Sequence, residues 1–175
     1  SLSRLTIDRG AVHNGAASVI GFAAGSGNNA VVVTGAGSRW RNTSSITVGA
    51  SGSGNSLSVI DTGCAHNGAS SVIGSAAGAN NNAVLVGGAG SWWNVNGTLE
   101  VGSSGSYNTL TITNGGLVTN TSYVYVGNGV AANDNSVMIH GPGSTWTNSA
   151  AGELPVIVGN SGSRNKRRCK SRRCP

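Results

Sequence analysis

The chain repeats itself, and the period restricts its fold before any local structure is considered. The hexapeptide GAGSRW begins at Gly35, GAGSWW at Gly88 and GPGSTW at Gly141, each 53 residues after the last. Val48-Gly49 returns as Val101-Gly102, and Asp8 as Asp61, at the same interval. Each unit consists of two similar halves. The pattern N-x-[LV]-x-[VI] starts at Asn29, Asn55, Asn82, Asn108 and Asn135, at intervals of 26, 27, 26 and 27, and a degenerate copy, Ser3-Arg-Leu-Thr-Ile7, stands 26 residues before Asn29. Self-similarity at a period of about 20–50 residues marks a solenoid or an array, in which each unit buries its apolar face only against its neighbours.

Within each half, three short stretches alternate apolar with polar residues and are separated by Gly, Asn and Ser, which is the signal for strands joined by turns. "YVYVG" from Tyr123 to Gly127 is one such stretch. Three strands per 26–27 residues, stacked copy on copy, describe an all-β, single-stranded parallel β-helix of about six coils in 53-residue double-coil repeats, over residues 1–165. Composition agrees: 29 Gly, one Phe and 9% charged residues leave few helix formers. No segment carries the 3.6-residue period that a helix-bearing repeat would need.

Two columns of this expected stack carry physical content. The Trp position and its equivalents read Val12, Trp40, Ala65, Trp93, Val118, Trp146. Large alternates with small, so each indole can spread into its neighbour's layer, and this explains a true period of two coils. Trp40, Trp93 and Trp146 are therefore assigned to the core. Asn29, Asn55, Asn82, Asn108 and Asn135 recur once per coil, where side-chain amides can bond to those above and below. Glycines after the last strand of each coil, such as Gly49 and Gly102, would supply positive φ where the chain changes face.

The net charge of +6 is misleading as a whole-chain figure. Arg164–Pro175 holds seven of the eleven Lys and Arg, whereas the body sets Arg4, Arg9, Arg39 and Arg41 against five carboxylates. Seven clustered cations could engage a polyanion, yet the repeat register points elsewhere. The turn SGSGN at Ser51–Asn55 and SGSYN at Ser104–Asn108 returns as SGSRN at Ser161–Asn165, after a four-residue insertion near AAGELP. Then KRRC replaces SLSV and TLTI. Residues 166–175 are thus expected to be a basic, disordered tail foreign to the repeat, translated out of frame or otherwise not specified by the fold, with no specific nucleic-acid partner.

Candidate chemistry is sparse. Asp8 and Asp61 share a column two coils apart, about 9.6 Å by strand spacing, but each stands two residues before a Gly, where Asp commonly closes a turn. His13 and His66 also recur at 53, too far apart for one metal ion. Cys64, Cys169 and Cys174 have neither disulfide-framework nor zinc spacing. The calcium nonapeptide is absent, and the outward middle position of the first strand, Thr6, Val32, Ser58, Leu85, Thr111, Met138, is no regular Thr row. No cofactor and no catalytic or metal residue is expected. No apolar run approaches the roughly 18–20 residues of a membrane span. Among exposed candidates, Trp92 and Tyr125 are the residues singled out for contact with a glycan or protein partner.

The combination G-x-G-S-x-W, a strand ending V-G, then G-x-x-N-x-L-x-[VI] and "TNGG" resembles the tandem repeats in passenger regions of bacterial autotransporters and similar adhesin-like surface proteins. The resemblance covers residues 1 to about 165. It implies a right-handed parallel β-helix and a fragment of a longer passenger. It also implies an extracellular or cell-surface location, held at the outer membrane by parts of the parent protein outside this sequence, and a structural or adhesive role rather than an enzymatic one. A polysaccharide-active or glycan-binding β-helix is the alternative, and it would need carboxylates converging on one face. Exposed solenoid ends would favour end-to-end self-association.

Overall fold

The computed structural model describes residues 2–149 and 155–169. The first coil contains β1 (Arg4–Asp8), β2 (Ala11–Asn14) and β3 (Ser18–Ile20), and the second β4 (Ala30–Thr34), β5 (Arg39–Asn42) and β6 (Ile46–Val48). The third has β7 (Ser56–Ile60), β8 (Cys64–Asn67) and β9 (Ser71–Ile73), and the fourth β10 (Ala83–Gly87), β11 (Trp92–Val95) and β12 (Leu99–Val101). The fifth runs through β13 (Thr109–Thr113), β14 (Leu117–Asn120) and β15 (Val124–Val126), the sixth through β16 (Ser136–His140), β17 (Thr145–Asn148) and β18 (Val156–Val158), and β19 (Lys166–Cys169) follows.

Every strand pairs in parallel with its equivalents one coil away, giving three sheets: β1-β4-β7-β10-β13-β16-β19, β2-β5-β8-β11-β14-β17 and β3-β6-β9-β12-β15-β18. This is a parallel β-solenoid of about six coils, and the described residues contain no helix. Coil length sets the register. Asn-led strands align at 26 or 27 residues, as in Ala30↔Ser56 and Ser56↔Ala83.

The interior is a set of columns. In the second sheet Val12, Trp40, Ala65, Trp93, Val118 and Trp146 are mutually registered, so Trp40 and Trp93 each lie between small residues of the two adjoining coils, and Trp146, on the edge strand, lies against Val118. Trp93 and Ala65 are fully buried. The first sheet contributes Val31, Leu57, Val84, Leu110 and Val137 at one inward position and Ile7, Val33, Val59, Val86, Ile112 and Ile139 at the other, all buried. In the first coil Leu5, at the inward position, is 43% exposed, because its only sheet neighbour is β4.

The motif G-x-G-S-x-W is explained position by position. Gly35 and Gly37, with φ of 86° and 82°, turn the chain. Ser38, Ser91 and Ser144 are buried and act as brackets between coils. Ser144 Oγ donates to His140 O at 2.6 Å and accepts from Gly115 N–H at 3.2 Å, and Ser91 Oγ accepts from Thr62 N–H at 3.1 Å. Ser38 bonds in the same way to Thr34 O and Arg9 N–H. The Trp enters the core, and the residue before it, on the same strand, faces outward.

The Asn column is a continuous amide ladder. Asn55 Nδ2 donates to Asn82 Oδ1 at 3.1 Å, Asn82 Nδ2 to Asn108 Oδ1 at 3.1 Å, and Asn108 Nδ2 to Asn135 Oδ1 at 3.1 Å. Asn29 begins it by donating to Asn55 Oδ1 at 3.0 Å. Each Oδ1 also accepts the backbone N–H of the preceding Asn, so one side chain satisfies groups in two coils. At Asn135 the side chain turns instead to Gly105 O, at 3.0 Å. The glycine ending each coil packs on this ladder: a Cβ on Gly49, whose φ is 77°, would lie 2.2 Å from Asn82 Nδ2.

Two departures occur near the C-terminus. Strands of the third sheet are offset by 28 residues from β9 to β12, but Val124 of β15 pairs with Val156 of β18, an offset of 32. The four extra residues fall between β17 and β18, partly outside the described residues. The ladder then continues through β19, where Lys166, Arg167, Arg168 and Cys169 register with Ser136–Ile139. Four of the ten residues expected to stand apart from the solenoid therefore pair with it; Lys170–Pro175 lie outside the described residues. The physical reason is that an open sheet edge offers backbone groups that any non-proline sequence can pair with. The side chains remain out of character. Arg167 takes an inward position that is aliphatic in the other six strands of the sheet, and its guanidinium lies 5.5 Å from the Trp146 ring centroid. Burial lowers its pKa.

Candidate functional site: the outer face of the second sheet

In the second sheet the second and fourth residues of each strand turn inward and the first and third turn outward, as the alternating burial of β5 and β8 shows. The outward residues form two registered columns. One reads Ala11, Arg39, Cys64, Trp92, Leu117, Thr145, and the other His13, Arg41, His66, Asn94, Thr119, Thr147. Stacking fixes the inward columns by size and hydrogen bonding, but places no such demand on these. The outward position of the hexapeptide is accordingly free to change, from Arg39 to Trp92 to Thr145.

From β2 to β11 this face carries an open depression of ≈ 480 Å³, whose lining includes His13, Arg39, Arg41, Cys64, His66 and Trp92. No carboxylate lines it. Among the described residues Arg39 and Arg41 form no ion pair, whereas Arg9 approaches Asp8 at 3.8 Å and Arg164 pairs with Asp134 at 2.7 Å. His13 and His66 flank Arg41 on either side in register. Burial raises the Cys64 thiol pKa, with the Arg39 guanidinium acting in the opposite sense, so the thiol stays protonated near neutrality.

Trp92 is 38% exposed, and its indole is held by Nε1–H donating to Thr119 Oγ1 at 3.0 Å. Asn94 Nδ2 donates to the same hydroxyl at 2.8 Å. A platform fixed in this way loses little freedom on binding. Tyr125, the other contact candidate, lies on a different sheet. It faces outward from β15 between Glu100 and Ile157 and stacks on Tyr123 at 5.9 Å. The two aromatic candidates therefore do not share one sheet face.

The carboxylates are dispersed. Asp61, at φ 50°, accepts from Thr34 Oγ1 at 3.1 Å in a turn. Glu100 is on the third sheet and accepts from Asn128 Nδ2 at 3.3 Å. Asp134 receives two hydrogen bonds from Arg164, at 2.8 and 2.7 Å, which hold its carboxyl below the usual range. Glu153 lies outside the described residues. Among the described residues no three of His, Cys, Asp and Glu are grouped as metal ligands would be.

A second Asn column was not anticipated from sequence. Asn14, Asn42, Asn67, Asn120 and Asn148 occupy the last inward position of the second sheet, with Val95 standing in once. Asn67 and Asn120 accept the indole N–H of Trp93 and Trp146, at 3.1 and 3.0 Å. The signal was present, since Asn14, Asn67 and Asn120 recur at 53 residues. It was hidden among the many Asn of the turns.

Fold and surface together define the class: an all-β parallel solenoid whose interior is filled by repeated residues and whose second sheet carries an open depression on its outer face. Compared with known proteins, the chain matches no family model, no curated protein and no solved structure.

Proposed function

We propose that this chain is a non-catalytic structural and adhesive segment of a bacterial surface-exposed or secreted β-helix protein, of the kind seen in the autotransporter passengers its repeats resemble. The observation that carries the reading is the use made of the repeated residues. Trp, Asn, Ser and Gly at 53-residue intervals are spent on core, ladder, bracket and turn, all of them demands of stacking. A rod built this way holds an outer surface at a fixed distance from its support, and its outward columns vary without cost to the stack.

A catalytic reading would need carboxylates converging on the depression, and those described are engaged on other turns and faces. The test is incubation of the purified chain with acidic and neutral polysaccharides, following new reducing ends and unsaturated products. The expected outcome is no turnover. Depolymerisation that disappears in Asp61→Ala would overturn the proposal. In the producing organism, antibodies to the chain are expected to label intact cells or the medium.

A further inference from the structure

We propose that the outer face of the second sheet, from β2 to β11, binds an anionic polysaccharide containing uronic acid residues, laid along the solenoid axis. This deepens the adhesive reading above and rests on it.

The cations stand where the fold asks for nothing. Two of the four arginines before residue 164 are on one strand, at alternate positions of β5, so both project from the same face about 6.7 Å apart at the backbone. Neither is neutralised by a described carboxylate. A guanidinium presents a planar fork of donors matched to a carboxylate, and such pairs are shorter and stronger than neutral hydrogen bonds. His13 and His66, one strand away on either side of Arg41, add imidazole donors suited to hydroxyl groups.

Trp92 supplies the apolar half of the site. It lies two strands from Arg39 along the axis, about 9.6 Å. The negative face of an indole attracts the C–H-bearing face of a pyranose ring. Two strand spacings are close to the length of a disaccharide in an extended chain, so a ring on Trp92 would place the carboxylate of a nearby residue beside Arg39. The depression is open, as a site for a polymer passing through must be, and carries no acid that would repel one.

The columns also argue against two other ligands. A neutral glycan would offer the two guanidinium groups hydroxyl oxygens but not the shorter, stronger charge-assisted pair that a carboxylate forms. A nucleic acid is held by a run of cations that follows its backbone, whereas the two columns carry arginine on β5 alone and turn neutral through Leu117, Thr119, Thr145 and Thr147.

The experiment measures binding of tetragalacturonate to the full chain by calorimetry, with its methyl ester, a sulfated oligosaccharide and a single-stranded DNA oligonucleotide as comparisons. The variants are Arg39→Thr/Arg41→Thr and Trp92→Thr. Thr is what the repeat itself carries at the equivalent positions Thr145 and Thr147, so the stack tolerates it. The basic residues from Lys166 onward are left intact throughout. The double variant and the methyl ester are each expected to weaken binding by about tenfold or more, and Trp92→Thr by about fivefold. Four results would overturn the assignment: no binding of tetragalacturonate at millimolar concentration, equal binding by the double variant, equal binding of the methyl ester, or tighter binding of the sulfated or DNA probe. Loss of this assignment without depolymerisation leaves the scaffold reading standing; depolymerisation sinks that reading whatever the binding result.

Discussion

Asn82 shows how much one side chain does in this stack. Its Oδ1 accepts both the backbone N–H and the Nδ2 of Asn55, at 2.9 and 3.1 Å, while its own Nδ2 donates to Asn108. All three residues are fully buried. Asn82→Ala would orphan the buried backbone N–H of Asn55 and take one partner each from Asn55 Nδ2 and Asn108 Oδ1. An expected loss of about 2–4 kcal/mol, read from urea unfolding, follows from the cost of unsatisfied buried groups. Gly49→Ala would drive a methyl into the same amide. Combined with Asn82→Ala it is expected to cost less than the sum of the two, because the collision partner is gone, leaving the strain at positive φ. The Asn column was legible from its interval. Its glycine partner was legible only as a turn, since the contact joins residues 33 positions apart across two coil boundaries.

β11 makes the division between fold and surface explicit, because it carries adjacent tryptophans with opposite roles. Trp93 is fully buried between Ala65 and Val118, and Trp92 faces out between Cys64 and Leu117. Trp93→Ala is expected to cost about 3–5 kcal/mol through the cavity it leaves, whereas Trp92→Thr should change stability by no more than about 0.5 kcal/mol. Ala65→Leu places extra volume against two indoles and is expected to cost about 1–3 kcal/mol by overpacking. Thermal or denaturant midpoints of the three variants check the set. Alternation made the inward column readable, since period 2 assigns faces once one residue is placed. The outward columns had no period to betray them. That Arg39, Cys64 and Trp92 adjoin, and that His13 and His66 bracket Arg41, required the register of four strands.

The molecule as a whole is a one-dimensional stack, and each coil is stabilised mainly by its two neighbours. Hydrogen exchange should therefore be slowest in the middle sheet strands β7, β10 and β13, and faster in β1 and β19, which each have one neighbour. The last turn adds a pH dependence. Arg164 holds the Asp134 carboxyl below its ordinary pKa, so the pair stabilises the folded turn above about pH 4 and is lost as pH falls through the lowered value. Amides of Lys166–Cys169 are expected to lose protection in acid before those of β13. Asp134→Asn should remove that difference, and equal acid sensitivity in wild type and variant would count against the role given to the pair. The basic C-terminal sequence affects this end twice over. Its backbone extends the first sheet, while Arg167 brings a charged group to a column that is otherwise aliphatic.

By itself the sequence determined the repeat, the coil length, the three-strand coil and the alternation of Trp with Val and Ala, because each is a periodic demand that stacking imposes on consecutive residues. The tertiary structure alone decided which outward residues meet. Arg39, His66 and Trp92 are separated in the chain by intervals of 27 and 26, and only the parallel register of β5, β8 and β11 puts them on one face. It also decided how far the sheet extends past the last repeat, since backbone pairing at an open edge does not depend on the side-chain pattern from which the boundary had been read.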